Sequence, residues 1–216
     1  QEHLPHSEIF ITGNTVIDAL LWMRDRLPSL PYGHQTYGSA SRIVDDPTSK
    51  ILLVTGHRRE SFGQGFLNIC LALKDLALQY PDMHIVYPVH LNPNVQAPVY
   101  RLLSDVQNIH LIPPLGYQDF IRLMDRSHLI LTDSGGIQEE APSLNKPTLV
   151  MRDCTERPEG IDAGVVRLVG TNPNDIISGV ATLLDDQTTY QTMSSAVNPY
   201  GDGTASQQIA NILGEH

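Results

Sequence analysis

The sequence predicts an α/β protein, a Rossmann-like parallel sheet of about six strands with helices on both faces. Three observations carry this. Short apolar runs without alternation, such as Ile51-Leu52-Leu53-Val54, suit strands buried on both faces of a parallel sheet. These runs alternate with helix-length amphipathic segments at a spacing of roughly 25–30 residues, the mark of repeated βαβ units. One run passes through Thr132, Asp133 and Ser134 into Gly135-Gly136 and then a polar, helix-compatible segment carrying Glu139 and Glu140. Strand, glycine turn and helix in that order aim backbone N–H groups and the positive end of a helix dipole at an anion. Glycine there permits positive φ and lets a ligand approach the backbone closely.

Taken in order, Ile9–Ile11 is a short β-compatible run. Thr15 is placed to cap a helix, with Asp18 three residues on as an imperfect capping box and Val16, Ile17, Leu20, Leu21 and Met23 as its apolar face. Pro28 and Pro31 end it, and residues 28–49, rich in Pro, Gly, Ser and Asp, read as a connecting loop. Strands follow at 51–54, 84–89, 109–112, 129–131, 147–151 and 165–169. Helices are expected at 65–80, 93–103, 117–126 and 175–184, with two more at 187–195 and 204–213. The opening QEHLPHSEIF reads as a cut inside a longer protein.

Composition narrows the function. Of 216 residues, 41% are apolar and 18% charged, so a packed core is expected. A formal net charge of −10 argues against nucleic acid as a partner, while leaving room for a small phosphorylated ligand held by local cations and amides. Cys70 falls in an apolar helical pattern and Cys154 in a polar segment, which is no disulfide framework. No apolar run reaches membrane-spanning length and no signal peptide opens the chain, so membrane insertion is not expected. No His, Cys or carboxylate spacing suggests a metal, His3 and His6 being close together but in the polar opening; no cofactor is assigned.

Ligands of such sheets bind beyond the carboxyl ends of the strands. After the first strand come His57, Arg58 and Arg59 on a glycine-punctuated loop; after the second comes His90; after the fifth come Arg152 and Arg157. Arginine forks suit phosphate. The alternatives are a solvated charged loop, a histidine bonded to its own backbone, and the surface ion pairs Arg152-Asp153 and Glu156-Arg157. Gly63-Gln64-Gly65 lies too far beyond its strand, with Asn68 in place of a third glycine, to be a dinucleotide fingerprint. Asn198-Pro199-Tyr200-Gly201-Asp202-Gly203 reads as a turn before the last helix.

Together these segments resemble the non-hydrolysing UDP-N-acetylglucosamine 2-epimerases. The matching pieces are FITGNTVIDAL (10–20), TGHRRESFG (55–63), YPVHLNPNV (87–95), LTDSGGIQEEAPSLNKP (131–147), MRDCTERPE (151–159) and NPYGDG (198–203), and the likeness runs over nearly the whole chain. The resemblance implies a GT-B arrangement of two Rossmann-like domains, of which this chain is similar to the C-terminal half. Residues 1–49 would then be the inter-domain connection and helix, 50–197 the UDP-binding domain, and 198–216 a helix crossing back to the N-terminal domain.

The implied activity is the interconversion of UDP-N-acetylglucosamine and UDP-N-acetylmannosamine, by elimination of UDP to a 2-acetamidoglucal and re-addition, in cell-surface polysaccharide biosynthesis. UDP and the UDP-N-acetylhexosamine would be the ligands, and the full-length enzyme a cytoplasmic homodimer. Carried over residue by residue, Ser134, Gly135 and Gly136 would hold the diphosphate and Glu140 the ribose hydroxyls. Arg157 and Phe120 would complete the nucleotide pocket, with Phe120 near the uracil. His57 would be the catalytic residue facing diphosphate and sugar, and Arg58 and His90 would belong to a neighbouring activator site. Pro114-Leu115-Gly116 departs from the family by lacking a polar residue beside the uracil. The family's acids for proton transfer at C2 lie mainly in its other domain. The competing readings are a GT-B glycosyltransferase domain and a non-catalytic nucleotide-sugar-binding module.

Overall fold

The computed structural model describes residues 9–31, 33 and 36–214; the polar opening with His3 and His6 lies outside them. Six parallel strands form one sheet: β1 (Lys50–Thr55), β2 (Met83–Pro88), β3 (Ile109–Ile112), β4 (Leu129–Thr132), β5 (Thr148–Val150) and β6 (Val166–Leu168). Their order is β3-β2-β1-β4-β5-β6. The chain runs outward from β1 to β3, then returns to the far side of β1, so the switch point falls between β1 and β4. All six fall where the apolar runs predict them, with no end shifted by more than one residue.

The helices are α1 (Thr15–Arg26), α2 (Ser41–Asp45), α3 (Gln64–Gln79), α4 (Pro93–Leu103), α5 (Tyr117–Arg126), α6 (Gly135–Glu140), α7 (Pro158–Asp162), α8 (Pro173–Asp185), α9 (Gln187–Ser194) and α10 (Ala205–Gly214). Alternate residues of each strand face opposite layers. Leu52, Val54, Ile85 and Tyr87 pack against α3, α4 and α8. Ile51, Leu53, Val86 and Ile130 pack against α1, α5 and α6. Central strand β1 is buried along its length except at Lys50. The α4 and α8 starts share one device: Asn92 and Asn172 each accept a backbone N–H with the side chain, and Pro93 and Pro173 follow in the first turn, where no N–H is needed.

Three expectations fail. Ile9–Ile11 is not a strand: Ile11 is 94% exposed and no strand among the described residues takes it up. Thr15 is not the cap of α1; Asn14 is, accepting from Val16 N at 3.0 Å. Asp18 closes no box on its own helix and instead accepts the amides of Ala205 and Ser206, at 3.2 and 2.7 Å, at the start of α10. Residues 28–49 are not a plain loop, since α2 and two 3₁₀ turns lie in or across them. Tyr37, Ala40 and Val44 from this stretch are buried in the core layer beneath α5, where the Tyr37 hydroxyl donates to Asp119 O.

Cys70 falls as expected, on the buried face of α3. Cys70 is buried, and burial pushes its thiol up to about 12. His128 stacks on Tyr190 with ring centroids 4.3 Å apart, and burial holds it down to about 4.

Candidate functional site

Parallel strands put all their carboxyl ends at one edge, so the loops after β1, β2, β4 and β5 share it. Asp133, immediately after β4, is the residue that joins them across the switch point. Its side chain is wholly buried. Oδ2 accepts the backbone N–H of His57 at 2.7 Å and of Arg58 at 2.8 Å, both from the loop after β1. Beneath it the Thr55 and Thr132 hydroxyls meet at 2.6 Å, and the Thr132 hydroxyl also accepts Ser134 N.

Ser134 is the N-cap of α6, yet its hydroxyl makes no capping bond. Among the described residues, no acceptor meets the amides of Gly135 and Gly136. Neither glycine has positive φ, so conformational freedom is not why they are glycine. Space is the reason, differently for each. A Cβ on Gly135 would lie 3.0 Å from Glu156 Oε1 and 3.2 Å from Arg157 Cζ. A Cβ on Gly136 would meet nothing nearer than Ser134 Oγ at 4.0 Å; it would project into open space.

The arginines at this edge are organised by carboxylates. Arg157 Nε donates to Glu139 Oε1 at 2.7 Å, and Glu139 Oε2 accepts Asn14 Nδ2 at 2.7 Å. Glu156 accepts from Arg58 and Arg152 and forms an ion pair with Arg157. Its own backbone N–H, then the guanidinium groups, hold its carboxyl down to about 2. Arg152 is not a surface ion pair with Asp153: it is 8% exposed and bonded to Glu60 and Glu156.

Glu140 is the exception. It is half-buried, and no side-chain donor among the described residues reaches it. Burial, then the neighbouring Glu139 charge, push its carboxyl up to about 7. It faces the first turn of α5, where its charge adds to burial in raising the Tyr117 hydroxyl. Phe120, one turn further on, packs half-buried against the α5–α6 core layer, as does Leu115.

His57 and His90 stack, with centroids 5.3 Å apart and planes 18° apart. His90 is bonded to local backbone, its Nδ1 accepting Asn92 N at 3.1 Å, which leaves its proton on Nε2 in the neutral ring. Arg58 turns the other way, donating from Nε to Asp133 O at 3.2 Å and from Nη2 to Glu156 Oε1 at 3.1 Å. The two residues expected at a common activator site thus flank His57, with no hydrogen bond or ring contact between them among the described residues.

Ser134, Gly135, Gly136, Glu140, Arg157, His57, Arg58 and His90 all belong to this one edge. Sequence reasoning missed Asp133, Glu139, Asn198 and Tyr200. Asn198 Nδ2 donates to Glu139 O and Ser143 Oγ, at 2.9 and 2.6 Å. The Tyr200 hydroxyl accepts Gly160 N at 3.1 Å and donates to Arg157 O. Asp133 carried a legible signal, an ionisable residue two positions after the apolar run Leu129–Leu131; the others act over long sequence separations that no local pattern records.

The family model for UDP-N-acetylglucosamine 2-epimerase matches residues 1–214. The chain belongs to the UDP-N-acetylglucosamine 2-epimerase family. It is 55% identical over 216 residues to the UDP-N-acetylglucosamine 2-epimerase of Yersinia pestis, covering 100% of this chain and 57% of the relative. To that of Escherichia coli strain K12 it is 57% identical over 213 residues, covering 99% of this chain and 56% of the relative. The chain therefore spans about half the length of the curated relatives it matches. The crystal structure of the Neisseria meningitidis enzyme bound to UDP-GlcNAc superimposes with a TM-score of 0.91 at 46% identity, over 100% of this chain and 57% of that one. The fold is that of the C-terminal half of a GT-B-like 2-epimerase. No helix among the described residues is long and apolar enough to cross a membrane.

Proposed function

We propose that this chain is the UDP-binding half of an enzyme that interconverts UDP-N-acetylglucosamine and UDP-N-acetylmannosamine by elimination and re-addition of UDP. One observation supports it most directly: the short helix α6 offers unpartnered donors at its start and an unpartnered carboxylate at its end. Ser134 and Glu140 are separated by roughly 9 Å of helix rise, comparable to the reach from a nucleoside diphosphate's phosphates to its ribose hydroxyls.

In this reading the Ser134 hydroxyl and the Gly135 and Gly136 amides take the diphosphate, and Glu140 accepts from the ribose hydroxyls. Arg157, held beside Gly135 by Glu139, adds positive charge. Phe120 and the 113–116 loop border the uracil. His57 faces the diphosphate and the sugar, and Arg58 and His90 lie toward the activator site. The physical demand of such a reaction is to retain UDP while it is detached, since its escape would turn epimerisation into cleavage. Charge-assisted bonds at both ends of α6 supply that grip. The full-length enzyme is read as a cytoplasmic homodimer serving cell-surface polysaccharide assembly.

The test is calorimetry of this chain with UDP, uridine and pyrophosphate, on the wild type and on Gly136→Val. UDP binding that falls at least tenfold in the folded variant is expected; unchanged affinity rules out the glycine turn as the phosphate site.

A further inference from the structure

We propose that Asp133 is a positioning residue that fixes the tautomer and attitude of the His57 imidazole. Its Oδ2 is satisfied by two backbone amides, but Oδ1 is wholly buried and has no well-aligned hydrogen bond. A buried, unsatisfied carboxylate oxygen is costly, and whatever donor lies nearest is strongly drawn to it. That donor is His57 Nδ1, at 3.3 Å. The guanidinium groups on either side are committed elsewhere: Arg58 to Asp133 O and Glu156, and Arg152 to Glu60 and Glu156.

The pairing has a chemical consequence. A free neutral imidazole prefers its proton on Nε2. A carboxylate facing Nδ1 reverses that preference and leaves Nε2, across the ring, as the nitrogen with a lone pair. The His57 side chain is 43% exposed, so Nε2 is available to a ligand in the crevice. The stacked partner His90 is held in the opposite tautomer by Asn92 N. The edge thus presents two parallel imidazoles, one an acceptor at Nε2 and the other a donor. On the reading that His57 faces the diphosphate and sugar, Asp133 decides which proton transfers or hydrogen bonds that ring can make. The same carboxylate holds the His57 and Arg58 backbone against β4, so the ring and its loop are fixed by one group.

The experiment is nitrogen-15 NMR of the histidine rings in this chain at alkaline pH, with the His57 signals assigned by their loss in His57→Gln. The wild type is expected to carry the His57 proton on Nδ1. Asp133→Asn keeps a carbonyl oxygen for the two backbone amides but turns an NH₂ group toward Nδ1, which must then accept. The expected result is inversion of the His57 tautomer, with His90 unchanged. A wild-type His57 protonated on Nε2 overturns the proposal without any variant, as does an Asn variant that folds and keeps the wild-type tautomer. UDP binding to the wild type, measured in parallel, tests the functional reading separately: its absence would remove the ligand but leave the tautomer result standing.

Discussion

Gly135 and Gly136 are adjacent in the chain, yet the structure gives them different reasons to lack a side chain. At Gly135 a methyl group would press on Glu156 Oε1 and Arg157 Cζ, both held by ion pairs. Gly135→Ala is therefore expected to cost about 1–2 kcal/mol of stability, as overpacking does, readable as a lower denaturant midpoint. At Gly136 the fold has room, so Gly136→Val should melt near the wild type while losing UDP. The contrast between the two variants is the discriminating measurement; loss of stability at Gly136 would mean that the crevice is not open there. Glu140 gives a pH prediction with a definite sign. Its folded carboxyl, near 7, stands above its ordinary value of 4.5, so the folded state holds this proton more tightly than the unfolded state. The residue thus costs stability progressively between about pH 4.5 and 7, with the full cost above that. Allowing for its partial contact with water, the cost is about 1–2 kcal/mol. Glu140→Gln should therefore stabilise the ligand-free chain at pH 8 and have little effect near pH 4. The same change should weaken UDP binding at pH 8 by about 1.5–3 kcal/mol, the value of bonds to a charged acceptor. A variant that is more stable but binds UDP unchanged would leave Glu140 with no ribose to hold.

At the scale of elements, strands were the most legible. Their apolar runs are buried on both faces, so local composition and final environment agree. Helices with an N-cap Asn and following Pro were equally readable. The failures share a cause. Tyr37, Ala40 and Val44 look like sparse apolar residues in a polar loop, and only the presence of α5 and the sheet makes them core. Asp18 looks like part of a capping box, and only the return of the chain nearly 190 residues later gives it another helix to cap. That helix, α10, is a further case of tertiary dependence. Ten residues are too few for a stable isolated helix in water, and only Ala205 of α10 is buried. Its order relies heavily on Asp18 and on packing against α1. Asp18→Ala should lower hydrogen-exchange protection across 205–214 by roughly tenfold, for a cap of about 1–2 kcal/mol, with the β1 and β4 amides unaffected. Uniform loss of protection would show instead that α10 unfolds only with the whole chain.

Over the whole molecule, the candidate site is a set of bonds between distant segments. Asn14 reaches Glu139, Glu139 holds Arg157, and Asn198 and Tyr200 tie the last turn to both. The sequence displayed the glycine turn and the basic loops because each is local; it could not display the carboxylates that position them, because those pairings span up to 125 residues. The same network bears on what the chain can do alone. Proton transfer at the sugar C2 needs an acid and a base within hydrogen-bond reach of that carbon. Four carboxylates at this edge are already engaged: Asp133 by buried amides, Glu139 by Arg157 and Asn14, Glu60 by Arg152, and Glu156 by three arginines. Glu140 is free but sits at the far end of α6 from Ser134, where the ribose is proposed to bind. A carboxylate held by several donors is a weak base, and the depressed Glu156 is the extreme case. Correct positioning of reacting groups supplies roughly 7–11 kcal/mol of a barrier, so a site holding UDP without a placed acid and base should bind and not turn over. The expectation is that this 216-residue chain binds UDP in calorimetry but, incubated with UDP-N-acetylglucosamine in heavy water, incorporates no deuterium at C2 by NMR. A protein of the relatives' full length, of which this chain covers 56–57%, should incorporate it under the same conditions. Deuterium uptake by the shorter chain at a comparable rate would place the proton-transfer groups among the residues described above, with Glu140 the first to replace.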